Sequence, residues 1–177
     1  MKKLLAIGFS AALFLGACSD DTASDEKAST DKETEETTEQ NGDVKQEMMK
    51  FYLSISKTIN AVDGDLNAYE NAQAEETLPE GADLQTMKDA AKTSAEESAN
   101  AVEGIEIPAE LEEQQADLET SFASIKEAYD MKAEELTKEA PSFEAANAKF
   151  TEADEKLNAL LEEQGLIPSS LLNEVSQ

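Results

Sequence analysis

Residues 43–70 read DVKQEMMKFYLSISKTINAVDGDLNAYE. Within them Val44, Met48, Phe51, Ile55, Ile59, Val62, Leu66 and Tyr69 recur at spacings of four and three. Such spacing puts apolar side chains on one side of an α-helix, so the stretch predicts one long amphipathic helix. Asn41-Gly42-Asp43 supplies a turn and an N-cap in front of it, and Gln46 completes a capping box with Asp43. The segment Glu75 to Ala82, with Pro79 and Gly81, ends the helix.

The same pattern continues toward the C-terminus. Asp83 is placed to cap a second helix with the stripe Leu84, Met87, Ala91, Ser94, Ser98 and Val102. Its inward residues are small, so it is expected to bury little apolar area and to be the least stable of the set. After Gly104, Pro108 suits the first position of a third helix, because proline lacks the N–H that a helix start leaves unpaired. The third stripe is Leu111, Gln115, Leu118, Phe122, Ile125, Tyr129 and Leu136. Beyond Pro141, Ser142 can cap a fourth helix carrying Phe143, Ala146, Phe150, Ala153, Leu157, Leu160 and Leu161. Gly165 reads as its stop, with Leu166 positioned to touch Leu161 in a Schellman motif. Ser169 or Ser170 then caps a last short turn, Leu171 to Val175. No alternating, strand-like run occurs. Short connections favour antiparallel neighbours, so the expected fold is all-α. It is an up-and-down antiparallel bundle of four helices, or of three long ones if Pro141 only kinks the chain.

The N-terminus is of another kind. Met1-Lys2-Lys3 is a short basic region, and Leu4 to Leu15 is an apolar run too short for the about 20 residues of a membrane span. It suits the core of a signal peptide. The run ends in Leu15-Gly16-Ala17-Cys18, which resembles the lipobox of bacterial prolipoproteins in all four positions. That resemblance implies cleavage before Cys18, acylation of Cys18, and anchoring by two or three acyl chains, enough for stable attachment. Residues 19–42 hold nine acidic residues, eight Ser or Thr and no apolar side chain larger than Ala. Such a segment cannot offset the entropy of ordering and reads as a disordered tether spanning on the order of 27 Å. The domains expected are a signal peptide at 1–17, the lipidated Cys18 with its acidic linker at 18–42, and a helical bundle at 43–177.

Composition narrows the chemistry. The chain has 177 residues and a formal net charge of −26, from 14 lysines, no arginine and 40 acidic residues. Loss of residues 1–17 removes two lysines and no acid, leaving 12 against 40, or −28. There is no His, and Cys18 is the single Cys, which excludes Ser–His–Asp and Cys–His catalysis and His- or Cys-ligated metals. The charge opposes nucleic acid. Leu, Ile, Val and Phe total 27 of the 160 residues from Cys18 onward, a share that with this charge usually signals disorder. All 27 lie beyond residue 43 and most fall on the stripes, which favours a bundle of modest stability.

Few residues suggest a site. Asp63-Gly64-Asp65-Leu66-Asn67 resembles the start of a calcium loop, but positions 6 and 12 are Ala68 and Ala74 where Gly and Glu are needed. It reads as a solvated helix face. The Glu doublets at 75–76, 96–97, 112–113, 134–135 and 162–163 could hold divalent cations weakly, yet adjacent residues on a helix diverge and mostly hydrate. Glu134–Lys138 and Glu152–Lys156 have i,i+4 spacing for local ion pairs. Tyr52 lies slightly off the stripe, either as an exposed aromatic anchor or as a second core contact. No catalytic residue, metal ligand or cofactor site is expected.

In general style the chain is similar to small helical lipoproteins of bacilli and related Gram-positive bacteria, some labelled as cell-wall-binding. The resemblance implies a membrane-anchored, extracytoplasmic, non-enzymatic protein, Gram-positive by preference, presenting an acidic bundle to an envelope or cell-surface partner. The alternative is a surface binder of a divalent metal or another cationic solute through carboxylates.

Overall fold

The computed structural model describes residues 32–176. The expected signal peptide, Cys18 and the expected linker up to Asp31 lie outside the described residues. Six α-helices and one 3-10 turn follow in order: α1 (Lys32–Asn60), α2 (Gly64–Ala74), α3 (Gly81–Glu103), the 3-10 turn Ala109–Gln114, α4 (Gln115–Glu135), α5 (Glu144–Glu163) and α6 (Leu171–Val175). Among the described residues there is no strand. The chain is an all-α helical bundle. Helix α4 packs between its sequence neighbours α3 and α5, α2 lies on α3, and α1 closes against α3, the 3-10 turn and α6.

The apolar stripes build one core. Met48, Phe51, Ile55, Ile59, Leu66 and Tyr69 are buried from the first stretch, and Leu118, Ile125, Tyr129, Phe150, Leu157 and Leu161 meet them from α4 and α5. Three tilted or edge-on ring pairs cross it: Phe51–Phe122 at 5.9 Å, Tyr69–Phe143 at 6.1 Å and Tyr129–Phe150 at 5.8 Å between centroids. Each such pair contributes roughly 0.5–1.5 kcal/mol beyond its buried area. The small face of α3, with Ala91, Ala95, Ala99 and Ser98 buried, lets α2 and α4 approach closely.

Four boundaries differ from the expectation. First, α1 starts at Lys32 and runs through Asn41-Gly42-Asp43, so no turn or helix cap marks residue 43. Glu, Gln and Lys are good helix formers, and acids near an N-terminus complement the helix dipole. The single Gly42 is too weak a break. Second, the long first helix is broken at Ala61–Asp63. The N–H groups of Val62 and Asp63 both turn back to the Ile59 carbonyl, at 2.9 and 3.1 Å. Ser94 of α3 satisfies the broken backbone: its hydroxyl donates to the Val62 carbonyl at 2.6 Å and accepts from the Leu66 N–H at 3.2 Å. Third, α3 begins at Gly81, which sits at φ +65, with Glu80 as N-cap; Asp83 lies in the first turn instead of capping it. Fourth, the 3-10 turn winds more tightly than an α-helix, so Gln114 is buried in place of Gln115.

Pro141 lies in a true turn between α4 and α5, which decides for separate helices. Ser142 does not cap α5: Phe143 occupies that position, and the Ser142 N–H donates to Glu135 Oε2 at 3.2 Å. The end of α5 is the expected Schellman motif. Leu166 N–H reaches the Leu161 carbonyl and Gly165 N–H the Glu162 carbonyl, both at 2.8 Å, with Gly165 at φ +65. Ser170 caps α6 by accepting from the Asn173 N–H.

Candidate functional site

Three regions combine chemistry with position. The first is a buried charge cluster between α2 and α4. Lys132, 4% exposed, sits where the α4 stripe would carry an apolar residue between Tyr129 and Leu136. Its Nζ pairs with Glu70 Oε1 at 2.7 Å and lies 5.8 and 5.9 Å from the ring centres of Tyr129 and Phe143, within cation–π range. Beside it, at the α1–α2 break, Asp63 is 2% exposed and its Oδ2 has no hydrogen-bond partner. Burial pushes the Asp63 carboxyl up to about 6, against a hydrogen bond from Asn67, its own backbone N–H and the charge of Lys132, with Glu70 adding to the rise. Burial also raises the phenol of Tyr129, as do the charges of Asp63 and Glu70. Lys132, Asp63 and Tyr129 are enclosed by core side chains, while Glu70 stays partly exposed.

The second region is a cleft of about 570 Å³ where α3 turns into α4. Ile105, Ile107 and Phe122 line it together with Glu103, Glu106 and Glu119. Lys126 stands at its edge, 3.0 Å from Asp130 Oδ2 and 3.8 Å from Glu103 Oε2. Among the described residues no three His, Cys, Asp or Glu side chains converge closely enough to hold a metal ion.

The third is a groove of about 440 Å³ between α1 and the segment after α5. Met49, Leu53 and Ile167 line it at 48%, 57% and 89% exposure, and they are the exposed large hydrophobic residues among the described ones. Tyr52 forms part of this groove, but it is buried: its hydroxyl donates to the Ser169 carbonyl, and burial raises its phenol. It is a core contact with a polar tip, and the exposed anchor is its neighbours.

The stretch Asp63–Asn67, read from the sequence as a solvated helix face, is not one: Asp63 is buried at the α1–α2 break and Leu66 faces the core. The Glu doublets point to solvent except for Glu135, which is half-buried and ion-paired with Lys138, so Lys138 partners Glu135 and not Glu134. Sequence reading missed Met49 and Leu53, whose signal is a second i,i+4 apolar pair off the buried stripe. It also missed Lys132, whose signal is a lysine at a stripe position. Among the described residues no helix is long and apolar enough to cross a membrane. No protein-family model, curated protein or solved structure matches this chain.

Proposed function

We propose that the chain is an extracytoplasmic lipoprotein, anchored through Cys18, that holds an acidic helical bundle at the membrane for a cell-envelope partner and performs no catalysis. The observation that carries this reading is Leu15-Gly16-Ala17-Cys18 directly behind an apolar run and two lysines. The acidic surface supports it, because like charge keeps such domains apart while steering cationic groups toward them. Metabolic labelling with a palmitate analogue tests it. The expected result is label on the wild-type protein in the membrane fraction and none on Cys18→Ser. An unlabelled wild-type protein sinks the reading.

A second reading, a surface binder of cationic solutes, is favoured by the α3–α4 cleft, which sets Glu103, Glu106 and Glu119 around an apolar floor. It fits an organic cation better than a bare metal ion. Thermal melts decide: saturable stabilisation by one cation at micromolar levels supports it, whereas an effect shared by all salts at millimolar levels is screening alone.

A further inference from the structure

We propose that the face formed by Met49, Leu53 and Ile167 is the surface on which the bundle lies against the anionic bilayer that holds its lipid anchor. The inference rests on the reading of Cys18 as that anchor. Exposure here belongs to a locked structure. Ile167 follows the Schellman motif at Gly165, and Lys45 Nζ donates to the Gly165 carbonyl at 2.6 Å. Asn158 Oδ1 accepts from the Ser169 N–H at 3.0 Å, and Tyr52 holds the Ser169 carbonyl. An isoleucine held at a loop tip beside an exposed Met–Leu pair is a patch that water does not favour.

Charge selects the occupant. Residues 44–60 carry three lysines and one glutamate, whereas residues 32–43 carry one lysine and five acids and residues 61–176 seven lysines and 29 acids. Lys45 lies one helical turn before Met49 and Lys57 one turn after Leu53, giving a row of basic, apolar, apolar, basic at i,i+4 spacing. Both lysines are exposed. Their stems can lie along apolar surface while the ammonium groups meet lipid phosphates, as in helices that bind at a membrane interface. Glu174 also lines the groove, where its Oε1 accepts from the Ser169 hydroxyl at 2.6 Å. Acids on the far side of the bundle are more than one helix spacing of about 8–10 Å away, beyond the screening length of about 8 Å at physiological salt.

Size and reach agree with a membrane. Three side chains and a shallow groove fall well short of the roughly 800 Å² per partner that a stable protein interface buries. A domain already held at the bilayer needs no such area, because the tether keeps its effective concentration high. Residues 18–31 are 14 residues long and reach up to roughly 46–50 Å when extended. Met49 lies about 26 Å along α1 from Lys32. The anchor and the patch can therefore engage one bilayer together.

The test uses the full lipidated chain. With the Cys18 sulfur in its thioether, Ile167→Cys provides one reactive thiol for a polarity-sensitive dye. The control is Thr120→Cys, turned away from Phe122 and so from α1. In vesicles containing phosphatidylglycerol, the dye at 167 is expected to shift to the blue and to be quenched by spin-labelled lipid, and the dye at 120 to do neither. Lys45→Glu with Lys57→Glu, or neutral lipid, should reverse most of the shift. Acylated, membrane-bound protein with an unquenched dye at 167 overturns this inference and leaves the anchor standing. Protein that is neither acylated nor membrane-bound overturns the anchor itself. Dye–dye self-quenching between copies gives the face to a second chain, and burial of the dye only in intact cells gives it to a protein partner; either result overturns the membrane assignment.

Discussion

Two buried aspartates stand at opposite ends of α6, and their surroundings differ. Asp154, on α5, is 7% exposed and meets the start of α6: its Oδ2 accepts from the Ser170 hydroxyl and its Oδ1 from the Leu171 N–H, both at 2.8 Å. Asp63, at the α1–α2 break, lies near the other end, where Asn60 and Asn67 donate to the Glu174 and Val175 carbonyls at 3.1 and 2.7 Å. Asp154 has donors on both oxygens at the positive end of a helix. Asp63 keeps one oxygen unpartnered, with Glu70 among its charged neighbours. Burial alone therefore does not determine what a carboxylate contributes. Donors and nearby charge do.

The strongest way to break this contrast is to remove the cation beside Asp63. Lys132→Met keeps the side-chain volume but leaves Asp63 and Glu70 without it, and breaking a buried pair from one side costs about 3–5 kcal/mol. Urea melts near pH 7 should show a loss of about 4 kcal/mol, with part recovered when Asp63→Asn is added. A loss under about 1 kcal/mol would mean that the cluster is solvated in solution.

Asp154→Ala sharpens the other side. It removes two hydrogen bonds to a charged acceptor and strands a buried Leu171 N–H, a combination that costs about 3 kcal/mol. The loss should concentrate in α6, whose Leu171 and Val175 are buried, so hydrogen exchange there should rise more than in α4. Uniform loss of protection would deny Asp154 its local role.

Much of this architecture was legible in the sequence. The four stripes and the stop at Gly165 were readable, because each rests on a local rule. A turn or a kink at Pro141 and a cap at Ser169 or Ser170 stayed open until the structure chose between them. Gly165 announces a left-handed helix end, since only glycine adopts it without strain. The same motif ends α2, but with Glu76 at φ 56, and a glutamate announces nothing. The break at Ala61–Asp63 was hidden for a different reason. Its unpaired backbone groups are satisfied by Ser94, 32 residues away from Val62, and no local pattern records a partner at that distance. The candidate surfaces split the same way. Met49 and Leu53 stand in the sequence as a second apolar row, whereas Ile167 joins them only when the chain after α5 folds back over α1.

The smallest expected effect isolates Asp63 itself. Its carboxyl lies at about 6 in the folded chain against the ordinary 3.8, so the folded state binds the proton more tightly than the unfolded one. The stability this brings is full below the ordinary value and is lost as pH rises through about 6. Moving from pH 7 to about pH 4.5 should therefore add about 2 kcal/mol through this group. Relief of repulsion among the other acids also stabilises on acidification, so the wild-type curve alone cannot assign the gain. Asp63→Asn can, because it keeps the shape, removes the buried charge and removes the titration. At pH 7 the variant should be at least as stable as the wild type, and its gain on acidification should be smaller by about 2 kcal/mol. Parallel stability–pH curves would show that Asp63 has an ordinary carboxyl, and the contrast with Asp154 would then lie in geometry alone.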